Sequence, residues 1–313
     1  MPGPRVSVGI PVYNGEAYLG EAIRSVQAQT LRDLEILISD NGSTDASPEI
    51  AARFASEDPR IRFAGQSENR GAAWNYNEVL RMAQAPLFKW MPADDRMAPR
   101  HLERCAAALD ATPSAVLAYP QTELIDREGR IFGSYEDGLA LLEREPWRRA
   151  ARFILSVNLC NAVLGLFRSE ALRGTRQIQS FAGADAVLLL ETALRGQVLE
   201  IPERLFQRRV HPGASHEANR DRDALERWFD PNAKRGFRLP VRYTLLAGYL
   251  RASREAPLPG GERSLAAAAI LACWSYRQTR VTLGRWRQRL SGDHETGEKG
   301  RFSGIARADT RSK

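Results

Sequence analysis

The stretch Leu34-Glu35-Ile36-Leu37-Ile38-Ser39-Asp40 is almost continuously apolar and ends in a carboxylate. A strand of this composition is buried on both faces, which is typical of a parallel sheet. An alternating, β-branched stretch precedes it over residues 5–13. Between the two, over residues 18–26, apolar side chains recur with the 3.6-residue period of a helix. This order predicts two parallel strands joined by a crossover helix.

The alternation continues along the first 120 residues. Ser47-Pro48-Glu49 has the composition of a helix start, with proline at the first helical position. Strands are predicted at 61–64, 87–91 and 115–119, and helices at 47–56, 72–83 and 99–109. Alternating elements predict a mostly parallel sheet with helices on both faces. Beyond them the pattern is less regular, with predicted strands at 163–167, 198–201 and 205–210 and a helix at 184–194.

The charge is unevenly distributed along the 313 residues. The chain has a net charge of +7, yet residues 231–313 contain 17 Lys+Arg against 6 Asp+Glu, so the remainder is acidic. We therefore divide the chain into an α/β domain (1–230), a basic helical extension (231–290) and a Gly- and charge-rich tail predicted to be disordered (291–313). The extension is compatible with docking on an anionic membrane surface, with a lid or dimer surface, or with a solvated helical face.

Cysteine usage and hydropathy bear on location. Cys105, Cys160 and Cys273 lie far apart without a C-x-x-C spacing, which argues against a disulfide framework or a zinc site and fits a reducing cytoplasm. The first residues lack the pattern of a signal peptide. The longest apolar run, residues 265–274, is about half of what a membrane-spanning helix needs. We expect a cytoplasmic protein that can associate with the inner face of the membrane.

Polar side chains follow four predicted strands, where each strand ends. The loops are Pro11-Val12-Tyr13-Asn14-Gly15, Asp40-Asn41-Gly42-Ser43-Thr44-Asp45, Glu68-Asn69-Arg70-Gly71 and Ala93-Asp94-Asp95. Ligands of open α/β sheets bind at the carboxyl ends of the strands, so we expect the four loops to form one cleft. Each loop taken alone is also compatible with an ordinary turn or helix cap.

Together the loops contain the groups that a nucleoside diphosphate requires. Tyr13 can stack on a base, Asp40 can accept a hydrogen bond from a base N–H, and the helix that starts after Arg70 can bind phosphate. Asp94 and Asp95 are adjacent like charges, which repel each other unless a cation lies beside them. Their oxygen atoms suit Mg²⁺ or Mn²⁺, and such ions commonly bridge a carboxylate to a substrate phosphate.

A family resemblance rests on the order of these motifs. Family 2 glycosyltransferases have motifs similar to Pro11-x-Tyr13-Asn14, Asp40 to Asp45, Asn69-x-Gly71 and Ala93-Asp94-Asp95, and the resemblance covers residues 5–215. It implies the GT-A fold, a single mostly parallel nucleotide-binding sheet with helices on both faces, plus the C-terminal helical extension. It implies inverting transfer of a sugar with Mn²⁺ or Mg²⁺. The implied donor-binding residues are Pro11, Tyr13, Asn14, Asp40, Asn41, Asn69, Gly71 and Asp94, and the implied metal ligands include Asp94 and Asp95.

The resemblance also assigns roles later in the chain. The family places its catalytic base just before a helix, and Asp185 of Gly183-Ala184-Asp185 matches that position, with a plain helix N-cap as the alternative. In inversion, one carboxylate takes the proton of the attacking hydroxyl. The segment from Gln207 to Ser215 resembles an Arg-x-His-x-x-x-Ser segment of the family. It implies that His211 binds the metal or the diphosphate and that Arg208 or Arg209 neutralises the diphosphate; we assign Arg209 to the donor.

Three positions depart from the family pattern. Pro92 stands where the acidic motif often begins with a further Asp, Tyr76 stands where an Arg is common, and Ala184 stands where many members have a Glu. The first departure leaves open which of Asp94 and Asp95 binds the metal. The last makes Asp185 the sole candidate base of its pair.

Other functional classes fit less well. The chain lacks Gly-x-Gly-x-x-Gly after the first strand and lacks a Walker A loop, which excludes the common dinucleotide and P-loop sites. A sugar nucleotidyltransferase would need a Gly-rich basic loop there. A non-catalytic nucleotide-sugar-binding protein would need no base. We expect a metal-dependent hexosyltransferase-type enzyme of cell-surface polysaccharide or glycolipid synthesis, with a nucleotide-sugar donor, a glycan or lipid-linked acceptor and no nucleic acid. The sugar, the nucleotide, the acceptor and the oligomeric state are not specified by the sequence.

Overall fold

A computed structural model of the chain describes residues 3–213, 222–232 and 240–291. The described residues contain one nine-stranded sheet. Its strands are β1 (Val6–Val12), β2 (Leu34–Asp40), β3 (Ile61–Gly65), β4 (Leu87–Trp90), β5 (Arg96–Met97), β6 (Ala115–Ile125), β7 (Ile131–Tyr135), β8 (Leu166–Arg168) and β9 (Gln197–Arg209). They pair in the order β3-β2-β1-β4-β8-β6-β9-β5, and β7 pairs with β6.

The first half of the sheet is parallel, as the alternation predicts. β1 pairs with β2 and β4, and β2 pairs with β3, all in parallel. All seven residues of β1 and of β2 are buried, because helices cover both faces. Val12 is paired with Asp40 at the carboxyl ends of these strands. The first two polar loops therefore start side by side.

The second half of the sheet is mixed. β8 is antiparallel to β4 and to β6, whereas β6 and β9 are parallel. The strand predicted at 163–167 is shorter than expected, because residues Asn161–Leu164 form a 3-10 helix, called η1 here, before β8. The two closing strands predicted at 198–201 and 205–210 are one continuous strand, β9. Register shifts around Pro120 and Gln121 of β6 allow this long pairing to continue.

Helices lie on both faces of the sheet. They are α1 (Leu19–Gln27), α2 (Ser47–Glu57), α3 (Ala72–Met82), α4 (His101–Ala111), α5 (Pro146–Ser156), α6 (Ser169–Arg173), α7 (Ala184–Arg195), α8 (Arg222–Phe229), α9 (Val241–Glu255) and α10 (Gly260–Ser291). Buried residues of α1, α2 and α4 belong to one core, and those of α3, α5 and α7 belong to the other. The strand ends and their loops are thus supported from both sides.

The C-terminal helices share the second of these cores. Tyr249 and Ala252 of α9 and Ala266 and Ile270 of α10 are buried together with α5 and α7. Arg277 of α10 donates hydrogen bonds to the carbonyl oxygens of Ile154 (2.9 Å) and Val157 (2.8 Å). The predicted division at residue 230 stays a prediction, and the predicted tail beyond residue 291 lies outside the described residues. Within the described ranges, none of the helices has the length and apolarity needed to cross a membrane.

Candidate active site

A cleft of about 1460 Å³ opens at the carboxyl ends of β1 and β4. It is larger than the roughly 300–1,000 Å³ of an ordinary small-ligand pocket. Its lining includes Pro11, Tyr13, Asn14, Asn41, Asn69, Asp94, Asp95, Asp185, Arg209 and His211. Asp40 and Gly71 are the two predicted site residues that lie outside this described lining. The sheet therefore brings nearly all predicted side chains, from loops almost 200 positions apart, to one site.

The first polar loop is held by the second. The Asn14 backbone N–H donates to Ser43 Oγ (2.8 Å), and Asn14 Oδ1 accepts from the Thr44 N–H (2.8 Å). Asn14 has a φ of 50°, a left-handed conformation that Asn tolerates better than most residues. The Asn14 side chain thus shapes the loop. Tyr13, in contrast, is 46% exposed and its ring is available to a ligand.

Asn41 joins the second polar loop to the third. Its Nδ2 donates to Asn69 Oδ1 (3.0 Å) and to the Gly71 carbonyl oxygen (3.2 Å), and its Oδ1 accepts from the Arg70 N–H (3.0 Å). Asn69 Oδ1 also accepts from the Gly71 N–H (2.8 Å). Both asparagines, predicted as donor-binding residues, therefore make structural hydrogen bonds that fix the loops around the cleft.

Gly71 has a structural reason to be glycine. Its φ is 90°, and a Cβ there would lie 2.3 Å from the carbonyl oxygen of Phe229, at the end of α8. Only glycine permits this close approach at that φ. Trp228 and Phe229 of α8 line the cleft. Gly71 thus lets α8 close one side of the site.

Three buried oxygen atoms near the ends of β1 and β2 have no hydrogen-bond partner within the described ranges: Ser39 Oγ, Asp40 Oδ1 and Asn75 Oδ1. Asp40 Oδ2 accepts from the Ser43 N–H (3.0 Å), whereas Asp40 Oδ1 is unpaired. Asn75 Nδ2 donates to the Val12 carbonyl oxygen (3.1 Å), which leaves Asn75 Oδ1 unpaired. Unpaired buried acceptors are rare in folded proteins and indicate a missing donor. Asn75 lines the cleft but belongs to none of the four loop motifs, so the sequence did not point to it.

Asp94 and His211 are in direct contact in the cleft. His211 Nε2 lies 3.1 Å from Asp94 Oδ2, and the Tyr18 ring packs edge-on against the imidazole at 5.0 Å. The Asp94 side chain is one-third exposed. The pair places one carboxylate oxygen and one imidazole nitrogen within reach of a common ligand.

Asp95 and Arg209 have a different environment. Asp95 is buried, and its Oδ1 accepts from the Arg209 N–H (2.8 Å). Burial and the neighbouring Asp94 charge raise the pKa of Asp95 well above its ordinary value. The Arg209 guanidinium stacks on Tyr18 and donates to the Asp94 carbonyl oxygen, to the Asp126 and Arg127 carbonyl oxygens and to Glu21. The predicted donor-binding cation is thus engaged in structural contacts on all sides.

Asp185 occupies the first turn of α7 and faces the same cleft. Its Oδ1 accepts from the Ala186 N–H (2.8 Å), and it forms no ion pair with the residues in the described ranges. Burial raises the pKa of Asp185 above its ordinary value, and the Arg208 charge opposes this shift. A carboxylate with a raised pKa is better suited to take a proton than an ordinary aspartate.

Arg208, the other arginine of the predicted pair, also lines the cleft. Its positive charge acts on the carboxylates of Asp95 and Asp185, where it opposes the rise in pKa that burial causes. Its Nη1 donates to Asn161 Oδ1 (2.8 Å). Asn161 belongs to η1 and precedes the strand predicted at 163–167, so no predicted element or motif pointed to it.

Asp94 and His211 are the residues of the cleft that could hold a metal ion. Within the described ranges, no group of three or more His, Cys, Asp or Glu side chains converges on one point. Asp94 Oδ2 and His211 Nε2 converge in the cleft, whereas one oxygen of Asp95 is used by the Arg209 N–H. Mg²⁺ and Mn²⁺ sites commonly use one or two protein ligands together with substrate phosphates. The residues present fit such an ion.

Comparison with known sequences agrees with this geometry. Residues 7–160 match the model of the family described as "Glycosyl transferase family 2". Over 131 residues the chain is 32% identical to chondroitin synthase of Escherichia coli, a match that covers 42% of this chain and 19% of the synthase. The chain spans 19% to 38% of the length of four such curated relatives.

Solved structures give the fold. The chain superposes on residues 1–349 of Staphylococcus aureus TarS in complex with UDP-GlcNAc with a TM-score of 0.61 at 16% identity, covering 86% of this chain and 72% of that one. A mannosyltransferase from Pyrobaculum calidifontis in complex with GDP-Man and Mn²⁺ gives a TM-score of 0.51 at 18% identity, covering 92% of this chain and 81% of that one. The chain has the GT-A fold, and its residues 7–160 form a glycosyltransferase family 2 domain.

Proposed function

We propose that this protein is an inverting glycosyltransferase that moves a sugar from a nucleotide-diphosphate donor to an acceptor hydroxyl. One observation carries the proposal. Asp185, a carboxylate whose pKa is raised by burial, faces the same cleft as the Asp94–His211 pair. A base and a diphosphate-binding pair in one cleft are what in-line displacement at an anomeric carbon requires. The similarity to a chondroitin synthase and to a mannosyltransferase supports this class of reaction.

The donor nucleotide binds at the ends of β1 and β2. Tyr13 stacks on the base, and Asp40 Oδ1 and Asn75 Oδ1 accept hydrogen bonds from N–H or ribose O–H groups, which supplies the partners that both atoms lack. Pro11 forms part of the wall beneath Tyr13. Asn14, Asn41, Asn69 and Gly71 act on the donor by shaping these loops.

The diphosphate lies between the Asp94–His211 pair and Arg208. Asp94 and His211 would hold a divalent cation, Mn²⁺ or Mg²⁺, and Asp95 supports the loop from beneath. When bound, this ion would supply positive charge to the phosphate oxygen atoms of the leaving group. Arg208 adds a second positive charge, and its guanidinium contacts Asn161 through Nη1. The Arg209 guanidinium, in contrast, is enclosed by Tyr18 and backbone carbonyl oxygens. We therefore assign the diphosphate contact to Arg208 and the positioning of Asp94 and Asp95 to Arg209.

Asp185 acts as the base on the opposite side of the sugar. It takes the proton of the acceptor hydroxyl as the oxygen attacks the anomeric carbon, the bond to the diphosphate breaks, and the configuration inverts. The second half of the cleft, lined by Trp274 and Arg277 of α10 and Arg242 of α9, receives the acceptor. A glycan or a lipid-linked glycan in polysaccharide or glycolipid synthesis fits this place.

The exposed face of α10 is proposed to contact the inner membrane leaflet. Tyr276 is exposed and the Arg280 guanidinium lies 5.9 Å from its ring centre, whereas Trp274 packs against Tyr249 in the core. Basic residues with an aromatic side chain favour an anionic interface. The double variant Tyr276→Ser/Arg280→Ser should bind anionic vesicles more weakly than the wild type in a sedimentation assay. Equal binding would remove the membrane proposal and leave the sugar-transfer proposal unaffected.

The transfer proposal is tested with the full chain and a panel of nucleotide sugars, with and without Mn²⁺, by measuring release of the nucleoside diphosphate. We expect turnover that depends on Mn²⁺ and is lost by a factor of about 10²–10⁴ in Asp185→Asn, with donor binding retained. Asp110→Asn, on the exposed surface of α4, is the matched control and should be active. Nucleotide binding without turnover of any donor would favour the non-catalytic binding protein instead.

A further inference from the structure

The 3-10 helix η1 is held at both ends while it lines the cleft. At its start, the Asn161 N–H donates to Asp137 Oδ1 (3.2 Å), and at its end the buried Lys89 Nζ donates to the Leu164 carbonyl oxygen. Cys160, just before it, has a φ of 60°, which is uncommon for a side chain other than Gly, Asn or Asp. A conformation of this kind persists only where surrounding contacts enforce it. The position of η1 is therefore tightly determined.

The Asn161 side chain is the link between η1 and Arg208. The residue is 7% exposed, and its Oδ1 accepts from Arg208 Nη1 at 2.8 Å. The orientation of the amide is set by chemistry, because a guanidinium has no acceptor and only the amide oxygen can face it. Asn161 Nδ2 is then buried without a partner within the described ranges. An unpaired buried donor costs stability, so the residue is poorly explained by folding alone.

Arg208 lines the cleft, and its charge acts on both Asp95 and Asp185. A long arginine side chain at such a place has many rotamers, and ordering it costs conformational entropy. A fixed hydrogen-bond acceptor removes part of that cost before the substrate arrives.

We infer that Asn161 is a positioning residue, which holds the Arg208 guanidinium between Asp94–Asp95 and Asp185, where it meets the diphosphate of the donor. The inference rests on the proposed function, since it assumes that a nucleoside diphosphate binds in this cleft. Asn161 acts through Arg208 and forms no bond with reacting atoms. Asp137 and Lys89 support it by fixing the backbone of η1.

The test is a double-mutant cycle on nucleotide binding, which needs no acceptor and no turnover. The dissociation constants of UDP and of GDP are measured by calorimetry in saturating Mn²⁺ for the wild type, Asn161→Leu, Arg208→Met and the double variant. Leu has the branched shape and the number of heavy atoms of Asn without its polar atoms. We expect about tenfold weaker binding in each single variant, as for loss of one charged hydrogen bond, and no further loss in the double variant.

A matched control separates positioning from general disturbance. Asn77 is another asparagine near the site, and its side chain makes two hydrogen bonds with the backbone of Ile178 and none with Arg208. The losses of Asn77→Ala and Arg208→Met should therefore multiply. If Asn161→Leu does not fold, as judged by its melting transition, Asn161→Ala takes its place in the cycle.

The outcomes are distinct. Multiplied losses for Asn161 and Arg208, or unchanged binding in the Asn161 variant, would overturn the inference and leave sugar transfer untouched. Failure of the wild type to bind either nucleotide, while it remains folded, would instead count against the proposed function.

Discussion

Asn41→Ala is expected to lower the stability of the folded protein itself, whether or not a ligand is bound. The Asn41 side chain is 1% exposed and makes three hydrogen bonds that join the second and third polar loops. Its removal leaves the Arg70 N–H, Asn69 Oδ1 and the Gly71 carbonyl oxygen without that partner. Each net hydrogen bond contributes about 1 kcal/mol, so the free energy of unfolding should fall by about 3 kcal/mol.

The loss can be measured by thermal unfolding. A change of 1 kcal/mol shifts the melting temperature by roughly 2–4 °C in a domain of 150–250 residues, so we expect a decrease of about 6–12 °C. Asn14→Gly is the matched control, because glycine keeps the φ of 50° accessible and removes a side chain with one hydrogen bond at 2.8 Å and a weaker one at 3.4 Å, both at an exposed position. It should lower the melting temperature much less.

Nucleotide binding distinguishes the two possible roles of Asn41. If its role is to shape the loops, saturating nucleotide should recover part of the lost stability, because ligand binding stabilises the folded state by mass action. A melting temperature equal to that of the wild type, together with lost nucleotide binding, would refute the reasoning. It would show that Asn41 binds the donor directly and contributes little to the loops.

Three further outcomes follow from single residues. The proposed transfer requires deprotonated Asp185, whose pKa is raised by burial, so acidification should reduce kcat at a higher pH than it would with an ordinary aspartate as the base. Arg208→Met removes a charge that lowers this pKa, so the pH at which kcat is half lost should rise further. Gly71→Ala should cost at least about 1–3 kcal/mol in chemical unfolding, because its φ is 90° and its Cβ would meet Phe229; unchanged stability would mean that α8 does not pack there. Burial lowers the pKa of Lys89 to about 7, so the unfolded state binds more protons above that pH, and stability should rise by roughly 1.4 kcal/mol per pH unit between pH 7.5 and 8.5 in the wild type but not in Lys89→Met.

The parallel half of the sheet could be predicted from local sequence. Each local pattern predicts which residues of its own element are buried: the apolar run for β2, the alternation for β1 and the periodicity for α1. Their order along the chain predicts crossover connections. The loops at the strand ends then follow from topology, because parallel strands end at one edge. The order of four motifs also sufficed to identify the family, which the match over residues 7–160 confirms.

The antiparallel half was less predictable. η1 and β8 are short, and a run such as Val163 to Phe167 is equally compatible with either conformation when only its composition is considered. The close packing of Gly165 against Ala118, where a Cβ would lie 2.7 Å from the carbonyl oxygen, favours the observed turn. That contact joins positions far apart in the chain, so no local pattern records it.

The sequence by itself determined the strand–helix order, the family and the set of residue types around the cleft, since these depend on local periodicity and motif spacing. Only the tertiary structure decided what each side chain does there. It engaged Asn14, Asn41 and Asn69 in loop contacts, enclosed Arg209 while leaving Arg208 on the cleft wall, and brought Asn75 and Asn161 to the cleft. The physical reason is that polar groups whose partners are all supplied by the folded chain hold the loops in place, and those partners come from distant segments.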